Sequence, residues 1–176
     1  MIMTEDKKYY NATQPRARSK NQAVGTPDDY LTVVRNEFTI VHDLAANAEN
    51  YVHPSYYSVE NNAFDHDWHR HPLLSLPNTW LWLNPEFANI KPWARKCYEE
   101  MEQGARILML VPASVGSTWF AEWVENKAVV RFNLGRLTFK GNTKPYPKDT
   151  MLCLYNKHMT PSMGTWAWKE ILKEIS

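Results

Sequence analysis

Two short, wholly apolar segments constrain the fold of this chain more than any other feature. Residues 80–83 and 107–111 each have the length of a buried strand. The segment between them, residues 91–103, has Pro92 near its start and Gly104 just after its end, which is typical of a helix. Strand, helix and strand in this order predict an α/β protein with crossover connections, and therefore a mostly parallel central sheet with helices on both faces.

The remaining segments extend this pattern. Thr26-Pro27 predicts the start of a helix, with the Thr26 hydroxyl as its N-cap and Pro27 at its first position. A buried strand at 38–41 then leads to Asp43, and Ser117 is predicted to cap a later helix. The other predicted elements are an irregular stretch at 44–79, a helix at 118–125, strands at 129–132, 137–139 and 151–155, and a closing helix at 166–175.

Length and composition limit the organisation of the chain. With 176 residues, 44% of them apolar, it fits a flexible basic arm at 1–25 followed by a single domain at 26–176. No apolar run reaches the roughly 20 residues that a membrane span needs. The two cysteines, Cys97 and Cys153, have no metal-type spacing and are interpreted as reduced packing residues of a cytoplasmic protein.

The net charge of +1 hides an uneven distribution. Residues 28–67 contain eight carboxylates against Arg35 alone, whereas residues 126–148 contain six basic residues and no acid. The arm adds Lys7, Lys8, Arg16, Arg18 and Lys20. An acidic block suits a cationic small molecule and a basic block suits phosphates, although ordinary surface charge explains the same counts.

The informative motif is Asn84-Pro85-Glu86-Phe87, which directly follows the predicted strand at 80–83. Ligands of α/β sheets bind beyond the carboxyl ends of the strands. There, the Asn84 side-chain oxygen and the Pro85 carbonyl can accept hydrogen bonds from an exocyclic amine, which favours a nitrogen with an available lone pair. The Phe87 ring can stack on a base. Taken alone, Asn-Pro after a strand is also consistent with a simple turn.

The motif and its surroundings resemble the phage-type DNA adenine-N6 methyltransferases, which are Dam-like. Amino-methyltransferases carry Asp/Asn/Ser-Pro-Pro-Tyr/Phe at this point, so Glu86 stands where the family usually has a second proline. The resemblance covers roughly residues 24–155 in order. It includes these stretches: Thr26-Pro27, Glu37-Phe38, Asp43-Leu44-Ala45-Ala46, Asp67-Trp68, Trp93, Leu110-Val111-Pro112-Ala113, Trp119-Phe120 and Gly135-Arg136-Leu137-Thr138-Phe139.

The resemblance implies a compact Rossmann-like fold that uses S-adenosylmethionine to methylate an adenine flipped out of double-stranded DNA. It implies catalytic roles for Asn84, Pro85 and Phe87. The residues expected to bind the cofactor are Thr26, Pro27, Asp43, Ala45, Ala46, Asp67 and Asn84. Asp43 or Asp67 taken alone is also consistent with a capping or solvated carboxylate.

DNA is expected to meet the basic segment through Arg131, Arg136, Lys140 and Lys144, which could equally be the solvated charges of an edge strand. Trp119 and Phe120 fit the core better than a base-stacking role. The expected protein is a monomer or homodimer, encoded by a phage, acting in the host cytoplasm and protecting DNA from restriction.

Two alternatives remain open at this point. Glu86 could mark an inactive relative that still binds DNA or cofactor. His66, His69 and His71, with neighbouring acids, could instead bind a metal and serve a hydrolase. Their spacing matches no standard ligand pattern, so the expectation is that the protein has no metal site.

Overall fold

The computed structural model describes residues 24–176, and the sequence prediction of a flexible arm falls largely outside this range. Within the described range, four α-helices are formed: α1 Asp28–Glu37, α2 Lys91–Glu102, α3 Thr118–Trp123 and α4 Trp168–Ile175. The six strands are β1 Thr39–Asp43, β2 Thr79–Leu83, β3 Ile107–Pro112, β4 Val129–Asn133, β5 Thr150–Tyr155 and β6 Ser162–Trp166. Short 3-10 helices occur at Ala63–Asp65, Trp68–Arg70 and Pro72–Ser75. None of the helices in this part of the chain is long and apolar enough to cross a bilayer.

All six strands form one mixed sheet in the order β1-β2-β3-β5-β4-β6. The pairs β1·β2, β2·β3 and β4·β6 are parallel, while β5 is antiparallel to both of its neighbours. The connection from β4 to β5 contains no helix, in line with the antiparallel pairing of these strands, which needs no crossover connection. The α/β class predicted from the sequence is confirmed, with a sheet of mixed direction.

The strands bury alternate residues on the two faces of the sheet, because side chains of a strand point in opposite directions in turn. On one face, Leu81, Leu83 and Met109 share a core with α2 and α3; Cys97 and Cys153 are fully buried there as free thiols. On the other face, Trp80 and Trp82 pack with residues of α1 and α4. The helices therefore cover both faces, as predicted.

The start of α1 differs from the prediction. Pro27 is the N-cap residue, and no side chain caps the helix. Thr26 stands one residue before the cap, and its hydroxyl oxygen accepts a hydrogen bond from the Asn84 amide at 3.3 Å. The Ser117 cap is confirmed, since its Oγ accepts a hydrogen bond from the Phe120 amide at 3.3 Å.

Near the end of the chain, one predicted strand was wrong and the predicted closing helix is confirmed with a later start. Residues 137–139 are buried at Leu137 and Phe139 but form no strand, because their backbone bonds go to separate partners: the Tyr146 amide donates to the Leu137 carbonyl. The closing helix begins at Trp168, and the residues before it form the edge strand β6. This strand has little apolar alternation and contains Gly164, so it carries no strand signal in its sequence.

The long connection at 44–78 is irregular, as predicted, and two side chains fix its second half. Arg106 donates to the carbonyls of Leu74, Leu76 and Thr79 at 2.7–2.8 Å. Glu100 of α2 accepts hydrogen bonds from the backbone and the ring of His69, at 2.9 and 2.6 Å. Although burial alone would raise the pKa of Glu100, bonds from Lys96 and His69 lower it, so the carboxylate stays charged.

A buried polar network joins α1 to the sheet. The Tyr30 hydroxyl donates to Asn133 Oδ1 at 3.0 Å, and Asn133 Nδ2 donates to Thr150 Oγ1 at 2.9 Å. The Tyr30 ring makes edge contacts with Trp166 and Trp168, with centroids 5.7 and 5.2 Å apart. Each polar atom of this network depends on its partner, since water does not reach it.

We predict that Tyr30→Phe lowers the free energy of unfolding by about 1–3 kcal/mol, because it leaves Asn133 Oδ1 buried without a donor. Urea denaturation measures this change. Tyr51→Phe is the matched control: Tyr51 is 48% exposed, so the same loss of a hydroxyl should change stability by less than about 0.5 kcal/mol. Equal stabilities of Tyr30→Phe and wild type would contradict a stabilising role for this network.

Candidate functional site

The parallel pairing of β1 and β2 brings two polar residues to one edge of the sheet. β1 ends at Asp43, and β2 ends at Leu83, immediately before Asn84. The Leu44 amide donates to the Trp82 carbonyl at 2.8 Å, so the two strand ends remain joined. This is the edge at which ligands of α/β sheets bind.

Asn84 is half-buried and its amide group has a defined orientation. Its Nδ2 donates to Thr26 Oγ1 at 3.3 Å and to the Val24 carbonyl at 3.4 Å. No donor among residues 24–176 bonds to its Oδ1, which remains able to accept a hydrogen bond from a ligand. The side chain therefore presents the acceptor that the motif chemistry requires.

Pro85 is buried, and Phe87 is half-buried beside the loop that joins β4 to β5. The Phe87 ring meets Phe139 and Tyr146 edge-on, with centroids 5.8 and 5.4 Å apart. Phe87, three residues after Asn84, thus contacts two aromatic rings from a segment far along the sequence.

Phe139 and Tyr146 were not singled out as site residues from the sequence. Tyr146 lies in Lys144-Pro145-Tyr146-Pro147-Lys148, where an aromatic residue is framed by prolines and lysines. Aromatic rings interleaved with basic residues are typical of surfaces that bind nucleic acid. That signal was present in the sequence and could have identified Tyr146.

Asp43 is 2% exposed and its carboxylate is used by the chain itself. One oxygen accepts from the Ala45 amide at 3.1 Å and the other from the Val52 amide at 2.9 Å. Burial raises its pKa to about 6, and the two backbone bonds oppose that rise. Asp43 therefore shapes the turn that carries Ala45 and Ala46, both of which remain partly exposed.

Asp67 lies on the surface before the 3-10 helix Trp68–Arg70. Its carboxylate is 59% exposed and forms an ion pair with Arg70 at 3.3 Å. No hydrogen bond or ion pair in the described chain links it to Asp43 or Asn84. A cofactor contact of Asp67 stays a prediction.

Thr26 and Pro27 are buried beside Asn84, at the start of α1. The first turn of this helix already carries Asp28 and Asp29. These acids compensate the positive end of the helix dipole, which makes the turn a poorer site for a ligand carboxylate. A carboxylate contact at this helix start also stays a prediction.

The predicted DNA-binding residues fall into two environments. The Arg131 guanidinium forms a bidentate pair with Glu37 at 2.6 and 2.7 Å and lies over the Phe38 and Trp166 rings. Arg136, Lys140 and Lys144 are exposed on the β4–β5 loop. Lys140 pairs with Asp28 at 2.5 Å, and Arg136 is 3.9 Å from Asp149.

The histidines do not form a metal site. His69 bonds to Glu100, His66 Nε2 lies 2.7 Å from Asn61 Oδ1, and His71 faces His42. Within residues 24–176, no group of three or more His, Cys, Asp or Glu side chains is arranged to hold a metal ion. Trp119 and Phe120 belong to the core on the α2 face, as expected.

The Glu86 side chain is partly exposed. It takes part in no hydrogen bond or ion pair with the rest of residues 24–176. The structure therefore gives it no fixed orientation towards Asn84.

The fold is that of an α/β protein whose candidate ligand site lies at the end of β2, where Asn84 is followed by Phe87 and the two rings that contact it. The family model described as DNA N-6-adenine-methyltransferase (Dam) matches residues 15–165, and the chain belongs to this family. The DNA N-6-adenine-methyltransferase of Escherichia phage T1 is 34% identical over 88 residues, which are 50% of this chain. The match spans about a third of that relative's length (34%).

A group of rings lies under the turn after β1. His42 is 5% exposed, its Nδ1 is 2.7 Å from Ser55 Oγ, and its Nε2 is buried without a partner in the described chain. Its ring centroid is 4.3 Å from that of Tyr57 and 5.2 Å from that of His71. Burial, reinforced by His71, His53 and His66, lowers the pKa of His42 to about 4.

Because its folded-state pKa lies below the unfolded value of 6.5, neutral His42 stabilises the protein fully above pH 6.5 and progressively less as pH falls towards 4. Asp43, whose pKa is raised, changes stability in the opposite direction over nearly the same pH range.

The difference in unfolding free energy between wild type and His42→Phe isolates the contribution of the histidine, because Asp43 is present in both. We predict that this variant gains roughly 1–2 kcal/mol relative to wild type between pH 7.5 and pH 5. Urea denaturation at both pH values measures it, and a pH-independent difference would refute the assignment.

Proposed function

We propose that this protein transfers a methyl group from S-adenosylmethionine to the exocyclic N6 of an adenine flipped out of double-stranded DNA. The observation that carries the proposal is the orientation of the Asn84 amide, just after β2. Its Nδ2 already donates to Val24 and Thr26, and its Oδ1 is left to accept a hydrogen bond from a ligand. Membership of the Dam family supports the choice of adenine and of the cofactor.

In the proposed reaction, the chain acts by binding and orienting the base. Asn84 Oδ1 and the Pro85 carbonyl accept hydrogen bonds from the adenine amine, which frees the nitrogen lone pair from the ring. Phe87 stacks on the base, and Phe139 and Tyr146 support its ring from the side. The amine nitrogen held by these acceptors would take the methyl group from the cofactor's sulfur, which would leave as a neutral thioether, and the amine would lose its extra proton to solvent. When bound, S-adenosylmethionine supplies the methyl group on a positively charged sulfur.

The residues at the strand ends fit a cationic cofactor. Asp43 is a buried carboxylate, and the turn that it holds exposes the small side chains of Ala45 and Ala46. Small residues permit close approach of a ligand to the backbone, and a neighbouring carboxylate favours a cation. We propose that cofactor binds over this turn and that the sheet is a variant of the Rossmann-like methyltransferase arrangement.

The β4–β5 loop is the proposed DNA face. It presents Arg136, Lys140 and Lys144 beside the aromatic rings of the site. Arg131 is committed to Glu37, which favours a structural role for it over phosphate binding. We further propose, in line with the phage relative, that the protein is phage-encoded and protects DNA from restriction.

A second candidate rests on Glu86. A negative charge beside the proposed adenine site, in place of the proline usual for the family, would suit a protein that binds DNA or cofactor without turnover. Because the chain belongs to the Dam family and no contact among residues 24–176 directs the Glu86 side chain towards Asn84, the active enzyme remains the better-supported function.

We predict that Asn84→Ala lowers the turnover of methyl transfer by about 100-fold or more, because the lost acceptor matters most in the transition state. Phe87→Ala should weaken productive base binding by about 1–3 kcal/mol, the usual range for a base–aromatic stack. Glu86→Pro should leave activity equal or higher. Transfer of labelled methyl groups to unmethylated DNA measures all three variants.

Sequencing of the modified bases then identifies the product. Loss of activity in Glu86→Gln with retention in Asn84→Ala would reverse the roles of Glu86 and Asn84. A wild type without turnover, together with an active Glu86→Pro, would favour the binding protein.

We predict that DNA binding weakens with salt and that Arg136→Ala and Lys144→Ala each reduce the log–log salt slope by somewhat less than one unit. Arg131→Ala is the matched comparison. Because the Arg131 guanidinium is paired with Glu37, this variant should mainly lower the free energy of unfolding and should change the salt slope less than the other two variants do. Fluorescence anisotropy with duplex DNA over a range of salt concentrations measures the slopes. Binding that does not depend on ionic strength would disprove this face.

A further inference from the structure

We propose that Thr26 is a positioning residue for methyl transfer: with the Val24 carbonyl, its hydroxyl oxygen holds the Asn84 amide so that Oδ1 faces the adenine amine. This inference rests on the proposed function and concerns the same site. It gives Thr26 a role that differs from cofactor binding.

The two ends of an amide group have opposite hydrogen-bonding character, so the orientation of Asn84 matters. With Oδ1 towards the adenine amine, the side chain accepts a hydrogen bond from that amine. If the side-chain amide were flipped, its own NH2 group would face the NH2 group of adenine, and two donors would oppose each other. Nothing within the asparagine itself favours one orientation over the other. The surroundings must set it.

The Val24 carbonyl selects this orientation, and the Thr26 hydroxyl oxygen holds the same nitrogen. The Val24 carbonyl can only accept, and it lies 3.4 Å from Nδ2. The Thr26 hydroxyl oxygen lies 3.3 Å from the same nitrogen. In the flipped orientation, Asn84 Oδ1 would stand against the Val24 carbonyl, an unfavourable contact between two acceptors.

The segment that carries these two atoms is fixed in place. Thr26 is 2% exposed, and the Lys140 amide donates to the Gly25 carbonyl at 2.8 Å. A Cβ atom at Gly25 would lie 3.0 Å from Lys140 Cδ, so the segment packs closely against the β4–β5 loop. A buried hydroxyl on a closely packed segment is suited to hold an amide during turnover.

Thr26→Val tests the role directly, because valine has nearly the same shape and lacks only the hydroxyl. We expect kcat to fall by about 10-fold or more, with the KM for DNA and the Kd for S-adenosylmethionine each within about 2-fold of wild type. Thr26→Ser keeps the oxygen and should restore most of kcat. Steady-state methyl-transfer kinetics and titration calorimetry with S-adenosylmethionine measure these values.

The side-chain NH2 resonances of Asn84, assigned by nitrogen-15 NMR, give a readout that does not require activity. Thr26→Val should shift them and Thr26→Ser should not, even if the proposed function fails and the wild type shows no turnover. If Thr26→Val reduces folding, Thr26→Ala replaces it in the same assays. Unchanged kcat together with unchanged Asn84 resonances would overturn the proposal. A raised Kd for S-adenosylmethionine with unchanged kcat would overturn it in favour of a cofactor contact.

Discussion

The burial of β2 on both faces is the constraint on which the site depends. All five residues of this strand are buried, and its two neighbours β1 and β3 run parallel to it. Within such a strand a polar side chain must be bonded inside the protein, as Thr79 is to the carbonyls of Leu73 and Leu76, so a polar group that is to meet a ligand lies beyond the strand's end. Asn84 is the first residue at which the chain leaves the core, so the packing of the sheet determines where the acceptor stands.

The sequence was sufficient to predict the elements whose signal is local. The apolar runs before Asn84 and at β3, and the proline and glycine that bound α2, appear in the structure close to the predicted residues. The antiparallel insertion of β5 and the edge strand β6 were not predictable in this way. Strand order and direction depend on pairings between distant segments, and β6 is exposed at four of its five residues and so lacks an apolar pattern.

Candidate residues of the site were predictable by type, but their partners were not. Asn84 and Phe87 could be named from one motif, whereas Tyr146 joins them only through a loop that returns from β4. The Thr26 hydroxyl was expected to cap a helix because Ser and Thr before a helix usually do. Its contact with Asn84 spans 58 positions, a distance at which local sequence rules give no information.

The first described residues connect the two halves of the proposed active site. Gly25 bonds to Lys140 on the basic loop, while Val24 and Thr26 bond to Asn84 at the sheet edge. One backbone hydrogen bond ties this segment to the basic loop, and the Asn84 side-chain amide ties it to the sheet edge. The surface proposed for DNA and the acceptor proposed for its adenine are therefore connected through three consecutive residues, which suits a reaction that depends on placing the amine against a methyl donor.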